Sequence, residues 1–293
     1  MTTNFKLMRV LDCPPMSLGE GLYYCHNENI LYWVDIHQAK LFIYHDKLNS
    51  LQQHQFHETI SWVNKANNGK LIIGLRSGVY FYDVNSRQCS LIWQNPYIDS
   101  GQRLNDAKTD REGHLYFGTM DDQELSPVGQ LFQLIKMNLA TPIDNNYTVS
   151  NGPAFNVEGN TLYSVSSSER TIFRITNFQH GINPNKSIFL TLPPEYGYPD
   201  GITVDSEDNV WIASWGGGSI LCFSNKAKLL AKIRIPAPYV TNIIFAGYDL
   251  KDVYVTTATS PMSDKEIGQF PNAGKIFKFR ATIPGIAPHL VDI

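Results

Sequence analysis

The stretch Arg103-Leu104-Asn105-Asp106-Ala107-Lys108, the turn Glu112-Gly113 and the run Leu115-Tyr116-Phe117-Gly118 make one copy of a pattern that recurs along the chain. The apolar run returns as Leu31-Tyr32-Trp33-Val34, Leu71-Ile72-Ile73-Gly74, Leu162-Tyr163-Ser164-Val165, Val210-Trp211-Ile212-Ala213 and Val253-Tyr254-Val255-Thr256. The first residues of the six runs lie 40, 44, 47, 48 and 43 positions apart. Residues that tolerate left-handed backbone precede them, as in Asn67-Asn68-Gly69, Glu158-Gly159 and Asp208-Asn209, and read as reversals into a strand. A second apolar run follows each first one, among them Leu41-Phe42-Ile43-Tyr44, Leu131-Phe132-Gln133-Leu134 and Ile276-Phe277-Lys278-Phe279.

Long stretches with 3.6-residue periodicity are absent, which disfavours alternating helix and strand and leaves an all-β chain. Repeats of this length, each holding about four strands, are what a propeller blade requires, and six of them account for residues 1–293. The expected fold is a single-domain six-bladed β-propeller around a central channel. A spare strand over Phe5 to Asp12, with Phe5, Leu7, Arg9 and Leu11 alternating, is expected to close the ring by joining the last blade. A β-sandwich would make six near-equal repeats a coincidence.

Composition removes several function classes. Of 293 residues, 43% are apolar and 17% charged, and 24 basic against 27 acidic residues leave a net charge of -3. No basic run exceeds two residues, so the electrostatic footprint of a nucleic-acid binder is missing. Lys6, Arg9, Asp12 and two prolines interrupt the place where a signal peptide needs an apolar core, and no apolar stretch approaches membrane-spanning length. The expectation is a cytoplasmic protein with no membrane anchor and no obligate protein partner. Cys13, Cys25, Cys89 and Cys222 fit neither a metal knuckle nor a disulfide scaffold, and read as free thiols. His54 and His57 flank a polar run read as a solvated outer strand, hence as surface histidines. Trp215-Gly216-Gly217-Gly218-Ser219 lacks the lysine of a phosphate-binding loop and reads as a hairpin turn. A Gly-x-Ser-x-Gly nucleophile elbow is absent.

Counting back 10 or 11 positions from the six runs lands on Glu20, Ser61, Asn105, Asn151, Asp200 and Asn242, all polar. First strands of propeller blades line the channel, so these side chains are expected to converge. Glu20 and Asp200 with an amide oxygen make a hard-oxygen cage suited to Ca²⁺, Mg²⁺ or Mn²⁺ and tolerable for Zn²⁺ or Fe²⁺. The competing explanation is turn-forming Asx-Gly dipeptides at blade edges, against which the equal register of all six positions weighs.

Leu18-Gly19-Glu20-Gly21, Arg103-Leu104-Asn105-Asp106-Ala107-Lys108 with Gly118-Thr119-Met120, Ser150-Asn151-Gly152 and Pro199-Asp200-Gly201-Ile202-Thr203-Val204-Asp205 occur in that order. Together they resemble the senescence marker protein-30 (regucalcin), gluconolactonase and sugar lactonase family of six-bladed propellers over nearly the whole chain. The resemblance implies one divalent metal ion held by Glu20, Asn151 and Asp200. It also implies that Arg103 and Asn105 hold a small-molecule sugar lactone, with a metal-polarised carbonyl and Asp200 as the base that opens the ester ring. Some members follow Gly-Thr-Met with Glu-Glu and use the second to bind substrate hydroxyls; here Asp121-Asp122-Gln123 stands there, so the neutral amide of Gln123 is expected at the hydroxyls. A structural reading of Arg103 is a salt bridge to Asp99 or Asp106. Two other functions compete: a non-catalytic calcium- or metal-binding regulatory propeller, and a phosphotriester or other ester hydrolase. Arg103 and Asn105 favour the lactonase, because metal storage needs no substrate-holding groups.

Overall fold

Each of the six apolar runs is the second strand of a four-stranded antiparallel sheet in the computed structural model, which describes residues 7–179 and 184–293. The first strands are Gly19–Cys25, Ile60–Lys65, Gln102–Thr109, Ser150–Phe155, Tyr198–Val204 and Val240–Ala246, which open blades 1 to 6 in turn. They pack against one another in that order and the sixth returns to the first, which makes a closed ring with these strands innermost.

The core is divided between the blades. Six apolar clusters each join one blade to the next. Alternation along a strand produces this arrangement. In Ile30–Asp35 of blade 1, Tyr32 and Val34 join the layer shared with blade 2, whereas Trp33 joins the layer shared with blade 6. There the Trp33 and Phe42 rings stack at 5.3 Å. A fully buried side chain of this size stabilises by about 1.5–3 kcal/mol, so every blade depends on both neighbours.

Leu7–Val10 pairs antiparallel with Phe277–Arg280 at the outer edge of blade 6, so that blade is built from both ends of the chain. Phe5, placed in this strand by the sequence reading, lies outside the described residues. The C-terminal segment crosses the mouth where the inner strands finish: Gly285 bridges Asp205 on blade 5 and Val291 bridges Ala66 on blade 2. On blade 3, the Gly113 carbonyl accepts from the Asp292 N–H at 2.9 Å.

At the local scale the structure adds one element and corrects one reading. A short helix that the sequence reading did not place, Asp264–Gln269, interrupts blade 6 and starts with a capping box between Ser263 and Glu266. His54 is not a surface residue: its position in Ser50–Gln55 turns it inward against blade 2, where Nδ1 lies 2.6 Å from the Tyr82 hydroxyl. The four cysteines are free, and the triple-glycine segment is a turn between two strands of blade 5. Among the described residues no helix is long and apolar enough to cross a membrane.

Candidate active site

Every inner strand loses register with its neighbour at the same depth. The irregularities fall between Glu20 and Tyr23, Ile60 and Trp62, Leu104 and Ala107, Asn151 and Ala154, Pro199 and Ile202, and Val240 and Ile243. A bulge of this kind bends the strand and re-aims the side chain beside it. The six polar residues picked out by register lie in or next to these bulges, and all are buried. Two of them serve their neighbours. The Ser61 hydroxyl donates to the Leu104 carbonyl at 2.6 Å, and Asn242 Nδ2 donates to Glu20 Oε2 at 2.8 Å. Glu20, Asn105, Asn151 and Asp200 instead line one cavity of about 260 Å³, together with Arg103.

Hydrogen bonds fix how these groups are presented. Glu20 Oε2 also accepts from the Gly21 N–H at 2.9 Å, while no such bond engages Oε1 among the described residues. Asn151 Nδ2 donates to the Ser167 hydroxyl at 2.9 Å, and Oδ1 accepts from Asn105 Nδ2 at 2.7 Å. That Asn105 amide nitrogen donates a second bond, to the Ser150 carbonyl at 2.6 Å, and Asn105 Oδ1 accepts from Arg103 Nη1 at 2.6 Å. Asn105 is therefore the brace that ties Arg103 on blade 3 to Asn151 on blade 4.

Arg103 pairs through Nε with Asp122 Oδ1 at 3.3 Å, and Asp122 in turn binds Arg76. The competing structural reading, a salt bridge to Asp99 or Asp106, is met by Asp122 instead; Asp106 lies within the bulge and its carboxylate accepts from the Ala107 N–H. Gln123 does not reach the cavity: it is exposed in the turn after Leu115–Asp121, and its N–H donates to Asp121 Oδ1. Glu124, held at φ 59°, lines the cavity in its place. The sequence reading stopped one residue short: in this left-handed turn the exposed Glu124, not Gln123, borders the cavity. Tyr198 and Trp215 were also missed. Tyr198 is two positions before Asp200, the spacing that relates Arg103 to Asn105, and Trp215 is its partner in register.

Electrostatics single out the acidic groups. Burial pushes the Glu20 carboxyl up to about 8, and repulsion from Asp106 adds to the effect. Asp200 is held well above the usual carboxylate range, first by burial and then by Glu20 and Asp106. Burial lifts Asp106 to about 6, opposed by Lys108. Buried carboxyls that repel one another fit a site for a hard divalent cation, which would favour their ionised forms. Among the described residues no group of three or more His, Cys, Asp or Glu side chains is arranged for a metal. The fit therefore rests on two carboxylates and the Asn151 amide oxygen.

The family described as SMP-30/Gluconolactonase/LRE-like region matches residues 18–259. A putative sugar lactone lactonase of Bacillus subtilis is 29% identical over 92% of this chain and 94% of its own. A pentonolactonase of Haloferax volcanii is 30% identical over 85% of this chain and 84% of its own. Among solved structures, a calcium-binding protein, regucalcin, from Agrobacterium tumefaciens has a TM-score of 0.93 at 24% identity, covering 99% of this chain and 98% of that one. This likeness shows the six-bladed propeller, and the match over residues 18–259 shows the family: the chain belongs to the SMP-30/gluconolactonase/LRE-like family.

Proposed function

We propose that the protein hydrolyses sugar lactones, opening the ring ester of an aldonolactone to the aldonic acid, with one divalent cation held by Glu20, Asn151 and Asp200. The observation that carries this reading is the convergence of two buried, mutually repelling carboxyls, an amide oxygen and an arginine on one cavity. Family membership and the relatives named as lactonases support it.

A bound divalent cation would polarise the ester carbonyl, offset the developing oxyanion and keep the carboxyls ionised. The work of this chain's residues follows from their positions. Asp200, as a carboxylate, takes a proton from the water that attacks the carbonyl carbon and returns it to the ring oxygen as the C–O bond breaks. Water is thereby split within one product: its OH joins the acyl carbon as a carboxylic acid and its proton the former ring oxygen as a hydroxyl. Arg103 spends Nη1 and Nε on Asn105, Leu104 and Asp122, which leaves the N–H groups of Nη2 to donate to the substrate. Glu124, at the cavity, accepts from substrate hydroxyls, the part expected of Gln123. Asn105 acts through the groups it braces, because both of its N–H bonds are already committed.

Acid release from aldonolactones in a pH-stat, compared between wild type, Asp200→Asn and Arg103→Ala, tests this. Wild type with a divalent cation should release acid, Asp200→Asn should not, and Arg103→Ala should bind the cation normally while turning over slowly. Wild-type protein that binds a cation tightly yet opens no aldonolactone is a metal store, which overturns the lactonase reading.

A further inference from the structure

The cavity has two unlike walls. Blades 3 and 4 present Arg103, Asn105, Glu124, Ser167 and Ser168, with Val149 the one apolar side chain among them. The arc from blade 5 round to blade 1 carries the carboxyls of Asp200 and Glu20, and beside them the apolar and aromatic side chains of Tyr198, Pro199, Trp215, Leu18 and Ile36. Tyr198 is 38% exposed and Trp215 half-buried, so two large rings stand open at the mouth of the channel.

The aromatic wall is built to keep its shape. Tyr198 and Trp215 are cross-strand partners at the ends of Tyr198–Val204 and Val210–Trp215. The Trp215 ring lies 4.7 Å from that of Tyr239 at 50°, and the Arg170 guanidinium sits 4.0 Å from the centre of the Tyr198 ring. The turn before Tyr198 rests directly on the Trp215 carbonyl, at a place where Gly197, φ 77°, has no space for a side chain. Arg170, Tyr198, Trp215 and Tyr239 thus form one row across blades 4, 5 and 6.

We propose that this row receives the C–H face of the lactone ring and makes the site selective for aldonolactones whose ring hydroxyls project to a single face. The inference rests on the lactonase reading and narrows its substrate class. With its carbonyl at Glu20, Asn151 and Asp200, a ring standing between the walls turns one face to each. Hydroxyls on the polar side meet Arg103, Glu124, Ser167 and Ser168. C–H groups on the other side meet the electron-rich faces of aromatic rings, which attract them. An epimer that turns a hydroxyl toward that side takes it away from the polar wall and leaves a hydrogen-bonding group there without its partner, which is what discriminates against it.

The test uses pairs of aldonolactones epimeric at one ring hydroxyl, with kcat and KM measured for wild type, Trp215→Ala, Tyr198→Ala and the shape-conserving Trp215→Phe. Wild type should prefer one epimer by about ten- to a hundredfold in kcat/KM. Trp215→Ala should raise KM for that epimer about tenfold with kcat little changed, and should reduce the preference to within about threefold, because uniform binding is what the wall supplies. Trp215→Phe should keep the preference, and equal Tm values establish that each variant is folded. Equal kcat/KM for both epimers in wild type, or an unchanged KM and preference in folded Trp215→Ala, overturns the proposal. A second readout needs no turnover. Trp33, Trp62, Trp93 and Trp211 are buried away from the cavity, so Trp215 is the indole that reports on it. Titration with a non-hydrolysable sugar lactam of the preferred configuration should change the fluorescence of wild type but not of Trp215→Phe. If no aldonolactone is opened but the lactam response is saturable and epimer-selective, the lactonase reading falls and the wall stands. No hydrolysis together with no response overturns both.

Discussion

Asn105 holds two functions together with one amide. Its nitrogen orients Asn151 and its oxygen orients Arg103. Asn105→Ala should therefore weaken cation affinity and lactone turnover together, since each lost hydrogen bond is worth about 0.5–1.5 kcal/mol and those to charged groups more. Arg103→Ala should behave differently. Isothermal titration should find cation affinity within a few-fold of wild type, while kcat/KM falls by roughly ten- to a thousandfold for the loss of one or two charge-assisted bonds. Glu20 carries a pH prediction. Its carboxyl rises from an ordinary 4.5 to about 8 in the folded chain, so the folded state binds more protons than the unfolded one between those values. This stabilisation is present below the ordinary value and is lost as pH climbs through about 8. Thermal melts of chelated protein should show Tm falling across that window, and a saturating divalent cation should flatten the slope. A Tm that rises with pH in the chelated protein contradicts this assignment.

The inner strand with its bulge is the element that makes the site. Repeat spacing alone located all six of its polar positions, because the side-chain period and blade length are written in the sequence. It did not reveal that Ser61 and Asn242 turn to neighbouring blades while the other four face the cavity. That distinction depends on how each strand slips against its partner. The same limit applies to Gln123 and Glu124, where one left-handed residue decides which side chain enters, and to His54, whose burial follows from packing between blades. The bulge of blade 5 gives a direct test. A Cβ at Gly201 would lie 2.6 Å from Asn242 Nδ2 and 2.9 Å from the Thr241 carbonyl. Gly201→Ala should displace Asn242 from Glu20, lower stability by about 1–3 kcal/mol as overpacking does, and weaken cation binding in the same protein. Thermal melts and isothermal titration check both effects, and loss of stability with cation affinity intact would uncouple the bulge from the site.

At the scale of the whole molecule, a ring of blades needs closure, and this one is closed twice. Leu7–Val10 completes blade 6 at its edge, and residues 284–293 tie blades 2, 3 and 5 across the mouth opposite the site. Removing that C-terminal segment exposes the surface covered by Val291 and breaks several backbone bonds. Together these are worth about 3 kcal/mol, so Tm should fall by roughly 5–10 °C with cation affinity retained at the other mouth. The ring exists to bring Glu20, Asn151 and Asp200 from three blades onto one cavity. The most direct measurement is aldonolactone hydrolysis by chelated, dialysed protein as single divalent cations are added back. Metal-free protein should be inactive, one equivalent of a suitable cation should restore turnover, and Glu20→Gln should remain inactive while folded. Full hydrolysis by metal-free protein, or full activity of Glu20→Gln, would contradict a metal-dependent lactonase.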